Sequence, residues 1–327
     1  MRRRDLILML AGGAVAYPFA LHGQQTQRRV GVVILYPEND PQGRLRADAF
    51  RGQLEKAGWT IGGNLQLDFQ WGTGDAAWVH AATERALKLS PDVLLANGDA
   101  AAHSALQLTK TVPVIFIGSG DPVADGLVQS ISRPGSNVTG FAVMEPTLGA
   151  KLLGMLKQIA PRVSRVAVLI NPDNATHKNV LTSLGNAAAG FAVKIEQAPA
   201  RDRAEIETAM SGLANATDCG VIVPSDPTTN TQRKLFVELA ARYRLPTIFA
   251  LRAAVADGGL MSYGVDIIEL FRQSALYANR ILRGEKSADL PVQLPSKFEL
   301  TINMKTAKAL GLDIPPSLLA TADEVIE

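Results

Sequence analysis

Cysteine is nearly missing from this chain of 327 residues; Cys219 stands alone. A single cysteine excludes an internal disulfide and a thiolate metal cluster. Histidine is almost as scarce. His22, His80, His103 and His177 lie far apart, without HExxH or other paired-ligand spacing, so no metal is expected; the last three read as surface or helix-start residues. Long apolar runs are also absent. The longest leader-like stretch, Leu6 to Phe19, is too short for a comfortable membrane span. Phosphate-cradling motifs are missing as well: there is no GxxxxGK[ST], and Gly118-Ser119-Gly120 lacks the third glycine of a dinucleotide loop, with Pro122 interrupting it. Ser119 is no nucleophile elbow either, because Ile117 occupies the first glycine position of GxSxG.

What is present begins with a leader. Residues 1–23 run from Arg2-Arg3-Arg4 through an apolar stretch and small residues to a polar segment, the layout of a secretory signal peptide cleaved near Gly23. Arg3-Arg4-Asp5-Leu6-Ile7 resembles the twin-arginine export motif, which points to a bacterium. The whole chain has 33 basic and 31 acidic residues; cleavage removes three and one of them, leaving 30 of each. No basic surplus remains to neutralise phosphates, so nucleic acid is not an expected partner. Cys219 is far from the leader and cannot carry an N-terminal lipid, so the expected location is the periplasm, free of the membrane.

The mature chain says nearly the same thing twice. Arg29 to Asn39 and Arg165 to Asn174 are each a short β-branched run that breaks at a proline, then an acid and an asparagine. Asp92 to Asp99 is matched by Gly220 to Asp226, and Val112 to Phe116 by Leu245 to Phe249. Three matches in the same order predict two lobes of similar topology, a repeat too long for a solenoid. Helical patterns at 42–57, 76–89 and 99–110 alternate with strands in the first half, and at 146–160, 174–189, 202–215 and 228–244 in the second. That alternation predicts an α/β fold, with two doubly wound parallel-sheet lobes joined by a hinge.

The expected boundaries are 28–139 plus about 265–290 for the first lobe, and 140–264 plus part of 291–327 for the second. Hinges are placed at about Asn137–Gly140 and Tyr263–Asp266. After the latter, Asp266 and Glu269 form a capping-box pattern ahead of an amphipathic helix that Gly284 ends, and that helix is expected to return to the first lobe. The strand-like piece Phe298 to Ile302 has no assigned place.

In such sheets ligands sit beyond the carboxyl ends of the strands. Asp99, Asp121 and Asp226 all lie there, each ahead of a helical pattern, and Pro122 and Pro227 occupy the first helical position after the latter two. Two readings of these acids stay open: N-caps that need no ligand, or partners for a ligand ammonium beside helix N-termini that would take its carboxylate. Tyr36 and Tyr263, also at strand ends, either stack on an apolar part of the ligand or pack as ordinary half-buried rings. Cys219, at the start of an apolar strand, reads as a buried small hydrophobe.

The chain resembles the solute-binding proteins of bacterial ABC importers, of the type I periplasmic-binding fold, in the branch related to tryptophan- and tyrosine-binding proteins. The resemblance rests on Gly120-Asp121-Pro122-Val123, Gly126-Leu127-Val128, Ser132 to Gly140, Tyr263-Gly264-Val265-Asp266 and Ala322 to Glu327. It implies a two-lobed, hinge-closing binder that delivers a small molecule to a membrane permease; with the acids and helix N-termini at the strand ends, the expected ligand is an amino acid or an aromatic or zwitterionic organic acid, and the expected protein is a monomer without catalysis or cofactor. It would place the ligand against Tyr36, Asn97, Asp99, Gly118, Ser119, Asp121, Asn171, Ser225, Asp226 and Tyr263. The lobe pattern alone also suits a ligand-sensing subunit of a membrane receptor, or an enzyme on the same scaffold.

Overall fold

The computed structural model describes residues 27–72, 75–143, 147–172, 177–214, 216 and 218–327. The leader, Asp173 and Asn174, and the expected helix starts at 146 and 174 lie outside the described residues.

Along the chain come β1 (Arg28–Ile34), α1 (Pro41–Lys56), β2 (Leu65–Trp71), α2 (Ala76–Lys88), β3 (Val93–Asn97), α3 (Asp99–Leu108), β4 (Val114–Ile117) and β5 (Val138–Phe141). There follow α4 (Leu148–Ile159), β6 (Arg165–Ile170), α5 (His177–Ala188), β7 (Lys194–Pro199), α6 (Arg203–Ser211), β8 (Cys219–Val223), α7 (Pro227–Thr231), α8 (Arg233–Arg242), β9 (Thr247–Phe249), α9 (Arg252–Ala256) and β10 (Met261–Val265). The chain ends with α10 (Ile267–Leu282), β11 (Phe298–Asn303), α11 (Met304–Leu310), α12 (Pro316–Leu319) and β12 (Glu324–Ile326).

The first sheet has the order β2-β1-β3-β4-β5, and the second runs β12-β11-β10-β9-β8-β6-β7. Strands β7-β6-β8-β9-β10 therefore repeat the order of the whole first sheet. Every pairing is parallel except that of β10 with β11. The repeat reaches single side chains. Arg29 in β1 bonds Asp68 in β2 at 3.1 Å, and Arg165 in β6 bonds Glu196 in β7 at 2.9 Å, in the same register.

Each sheet is buried on both faces, which explains its continuous apolar strands. In β1, Val30, Val32 and Ile34 face the core under α1 and α10, while Val33, and Leu35 just beyond the strand, face the core under α2 and α3. In β6, Val166, Val168 and Ile170 join one core, and Ala167 and Leu169 the other. The edge strands β2 and β7 were not read from sequence, because half-buried patterns such as LQLDFQW and KIEQAP lack a strong apolar signal.

The chain crosses between lobes three times. It leaves the first sheet after Phe141, so the expected hinge at Asn137–Gly140 coincides largely with strand β5. After β10 it returns to pack α10 on α1. Here Asp266 accepts the Glu269 amide at 3.0 Å. A third crossing passes Gln293, which bonds both Gly140 and Ala142 before β11 adds to the second sheet. The two crossing strands, β5 and β10, share a constraint. A Cβ on Gly140 would sit 2.2 Å from the Phe116 carbonyl oxygen, and one on Gly264 1.8 Å from that of Ala250. Only glycine permits that approach.

Candidate site between the two lobes

The order of each sheet reverses between its first and third strands, β1 and β3 in one lobe, β6 and β8 in the other. The crevice beyond the carboxyl ends of such strands is where an open α/β sheet accepts ligands. Tyr36 and Asn97 lie at that point in the first lobe, Asn171, Ser225 and Asp226 in the second.

Most of the expected residues in the first lobe brace one another. Asn97 Oδ1 accepts the Leu35 amide at 3.5 Å. Asp99 is the first residue of α3, with Gly98 as its N-cap, so the expected cap role is corrected; its carboxylate accepts the Ser119 amide instead. Ser119 is buried with a left-handed backbone, φ 55°, and its hydroxyl donates to Asp125 Oδ2 at 2.6 Å. Gly118, just before it, is tightly enclosed, since a Cβ there would lie 3.1 Å from both Asp99 Oδ1 and Gly98 Cα. His103 ties this loop to α3, its ring nitrogens 2.9 Å from the carbonyls of Asp99 and Asp125, so it is half-buried rather than a surface residue. Asp121 is exposed and accepts the amides of Val123 and Ala124 at 3.2 and 3.0 Å. Residues 122–126 form a turn, not the helix expected after Pro122.

In the second lobe Asp226 does cap a helix. It is 3% exposed, accepts the Thr229 amide at 2.7 Å, and its own amide donates to Thr229 Oγ1 at 2.9 Å. The expected helix at 228–244 breaks at Gln232 into α7 and α8. Asn230 Nδ2 donates to Ser225 Oγ at 3.1 Å. Asn171 follows β6, its carbonyl 3.2 Å from His177 Nδ1; His177 begins α5 but is buried. Tyr263 packs within its own lobe, stacked on Phe298 with centroids 5.5 Å apart and Lys151 Nζ 6.0 Å from its ring. Cys219 is the buried first residue of β8, and burial pushes its thiol up.

The contact between lobes joins Tyr36, which the sequence reading named, to residues that it missed. Tyr36, 4% exposed, shares a cavity with Gln42 of its own lobe and with Pro224, Asn230, Arg233 and Leu251 of the other. That cavity is about 10 Å³, room for roughly one water. Burial pushes the Tyr36 phenol up, while the Arg46 and Arg233 guanidinium groups pull it the other way. Arg233 spans the lobes, 3.4 Å from Asp40 in the first and 2.8 Å from Asp257 in the second. Asp40 also caps α1 through the Gln42 amide at 2.8 Å. A further signal for this cluster in the sequence is Arg46, on the buried stripe of α1 formed with Gly43, Ala47, Phe50 and Leu54. Among the described residues no cluster of His, Cys, Asp and Glu could hold a metal. No described helix is long and apolar enough to cross a membrane.

Two similar sheets, three crossings and facing strand-end loops define a two-lobed α/β protein with a cleft between its lobes. The chain belongs to the family of ABC transporter substrate binding proteins, whose profile matches residues 33–326. It is 26% identical over 288 residues to the tyrosine-binding protein of Clostridioides difficile strain R20291, covering 88% of this chain and 81% of that one. It is 25% identical to an ABC domain from Streptococcus pneumonia in complex with L-Trp, with a TM-score of 0.84 over 92% of this chain and 100% of that one. A ligand-free, open substrate binding protein with adhesive properties from Clostridium difficile is also 25% identical, over 91% and 99%, but superposes with a TM-score of 0.67.

Proposed function

We propose that this protein is an exported, non-catalytic solute-binding subunit that takes an amino acid, or an aromatic or zwitterionic organic acid, between its lobes. It presents the closed form to the permease of an ABC importer. The observation that carries the reading is the cavity lined by Tyr36 between two lobes whose fold matches that of a relative in complex with L-Trp. The tyrosine-binding relative supports the same ligand class. The strand-end acids support binding over turnover, since Asp99 and Asp226 hold backbone amides rather than forming an acid–base pair. Residues 1–23 serve as the export leader and are removed; with Cys219 buried in a strand, the mature protein is free in the periplasm and acts as a monomer without nucleic acid.

The test is to purify the mature protein from its native periplasm and identify the released small molecule by mass spectrometry. The expected result is an amino acid or aromatic acid, returned unchanged after incubation with fresh protein. Re-adding it at about 100 times its Kd should stabilise the protein by about 2.7 kcal/mol. Recovery of a sugar, or chemical conversion of the added ligand, would overturn the reading.

A further inference from the structure

Arg46 is 2% exposed and counts with Phe50 and Phe116 among the largest fully buried side chains. A guanidinium carries five N–H donors and does not lose its proton in proteins. Arg46 makes one described hydrogen bond, from Nη1 to the Gln42 carbonyl at 2.7 Å, and lies 4.4 Å over the Tyr36 ring. No described carboxylate forms an ion pair with it. The nearest acids along the chain are spent elsewhere: Asp48 pairs with Arg51 at 3.2 Å, and Asp40 accepts the Gln42 amide with one oxygen and Arg233 with the other. Arg233 is the informative contrast, because it is similarly enclosed yet meets two carboxylates. Burying a cation without a counter-ion is costly, and a ring stack and one carbonyl offset only part of that cost.

Position supplies the rest of the argument. The two groups that touch the Arg46 guanidinium, Tyr36 and Gln42, both line the cavity between the lobes. Arg46 therefore stands immediately behind the cleft wall, with fork-shaped donors suited to a bidentate anion. For a ligand to reach the guanidinium, the lobes must part and the Tyr36 ring must turn aside. On the reading that the ligand is an amino acid, we infer that Arg46 is the counter-ion for the ligand carboxylate, so that a carboxylate is required for binding. The ligand then lies with its acid end in the first lobe and its side chain along Tyr36.

The test uses the mature protein with L-tyrosine and L-tryptophan, and with tyramine and tryptamine, which lack the carboxylate. Binding is followed by calorimetry and by thermal melting. The expected result is that an acid binds and its amine does not. Arg46→Met should weaken the acid by about 30-fold or more, as loss of one partner of a buried charge pair does. Its ligand-free melting temperature should equal or exceed that of the unaltered protein, because no unpaired charge is buried. Arg46→Lys should keep the charge but recover only part of the affinity, since it lacks the fork. An amine that binds as well as its acid overturns the inference in the unaltered protein, without any variant. So does an Arg46→Met protein that binds as before, or one that melts well below the unaltered protein, which would make Arg46 a packing element. Each of these leaves solute binding standing. If no acid or amine binds at all, the amino-acid reading fails, and the inference with it.

Discussion

The two lobes share a topology down to an Arg–carboxylate pair between their first and second strands, yet they meet the cleft differently. The first lobe ends at β5 and borrows α10 from the far end of the chain. The second extends past the equivalent strand with an antiparallel β11 and then β12. At the cleft, the first lobe holds a buried arginine without a carboxylate, while the second holds one with two. Repetition therefore governs the scaffold, where every strand must bury both faces. It relaxes at the strand ends, whose loops no longer have two faces to bury.

The sharpest test of the repeat is at the crossing strands. Gly264→Ala should destabilise the protein by about 3 kcal/mol and Gly140→Ala by slightly less, because each new methyl meets a backbone carbonyl that cannot move aside. Urea unfolding measures both. A tolerated alanine at either position would break the equivalence of β5 and β10.

A smaller effect should separate the strand-end acids. Asp226→Ala removes a buried helix cap, at a cost of about 1–2 kcal/mol. Asp121→Ala removes only an exposed turn contact and should change stability by less than about 0.5 kcal/mol. Equal losses in denaturant melts would show that the two loops are more alike than their geometry.

The least effect concerns the repeated ion pair. Hydrogen bonds from Arg165 and Lys194 hold the Glu196 carboxyl down to about 2, from an ordinary 4.5. A depressed carboxylate stabilises the folded state above its unfolded value, and that contribution is lost as pH falls from about 4.5 toward 2. Glu196→Gln should be slightly less stable than the unaltered protein above pH 5, with the gap closing toward pH 2. A gap that stays constant in urea midpoints across that range would detach Glu196 from the acid sensitivity of the fold.

Much of this architecture is legible in the residues. Three matched strand ends mark β1 with β6, β3 with β8 and β4 with β9, because a strand buried on both faces must be apolar throughout and must stop at polar loop residues. Asp226-Pro227 reads as a helix start for the same local reason. Asp121-Pro122 has the same spelling and forms only a turn, since Asp121 Oδ1 and the Asp125-to-Asp121 hydrogen bond close a single loop before Gly126. Local chemistry proposes a helix there; the chain beyond it does not continue one.

The sequence by itself determined the two-lobed α/β repeat, the scarcity of metal ligands and the set of loops that reach the cleft, all properties of short apolar runs and the residues that end them. Only the tertiary structure decided which of those residues face the partner lobe. Asn97, Asp99 and Ser119 turn inward to brace their own loops, while Tyr36, Asp40, Asn230 and Arg233 meet across the cleft. The physical reason is distance along the chain. Asp40 and Arg233 are separated by 193 residues, and no local pattern records a contact made only when two separately folded sheets close on each other.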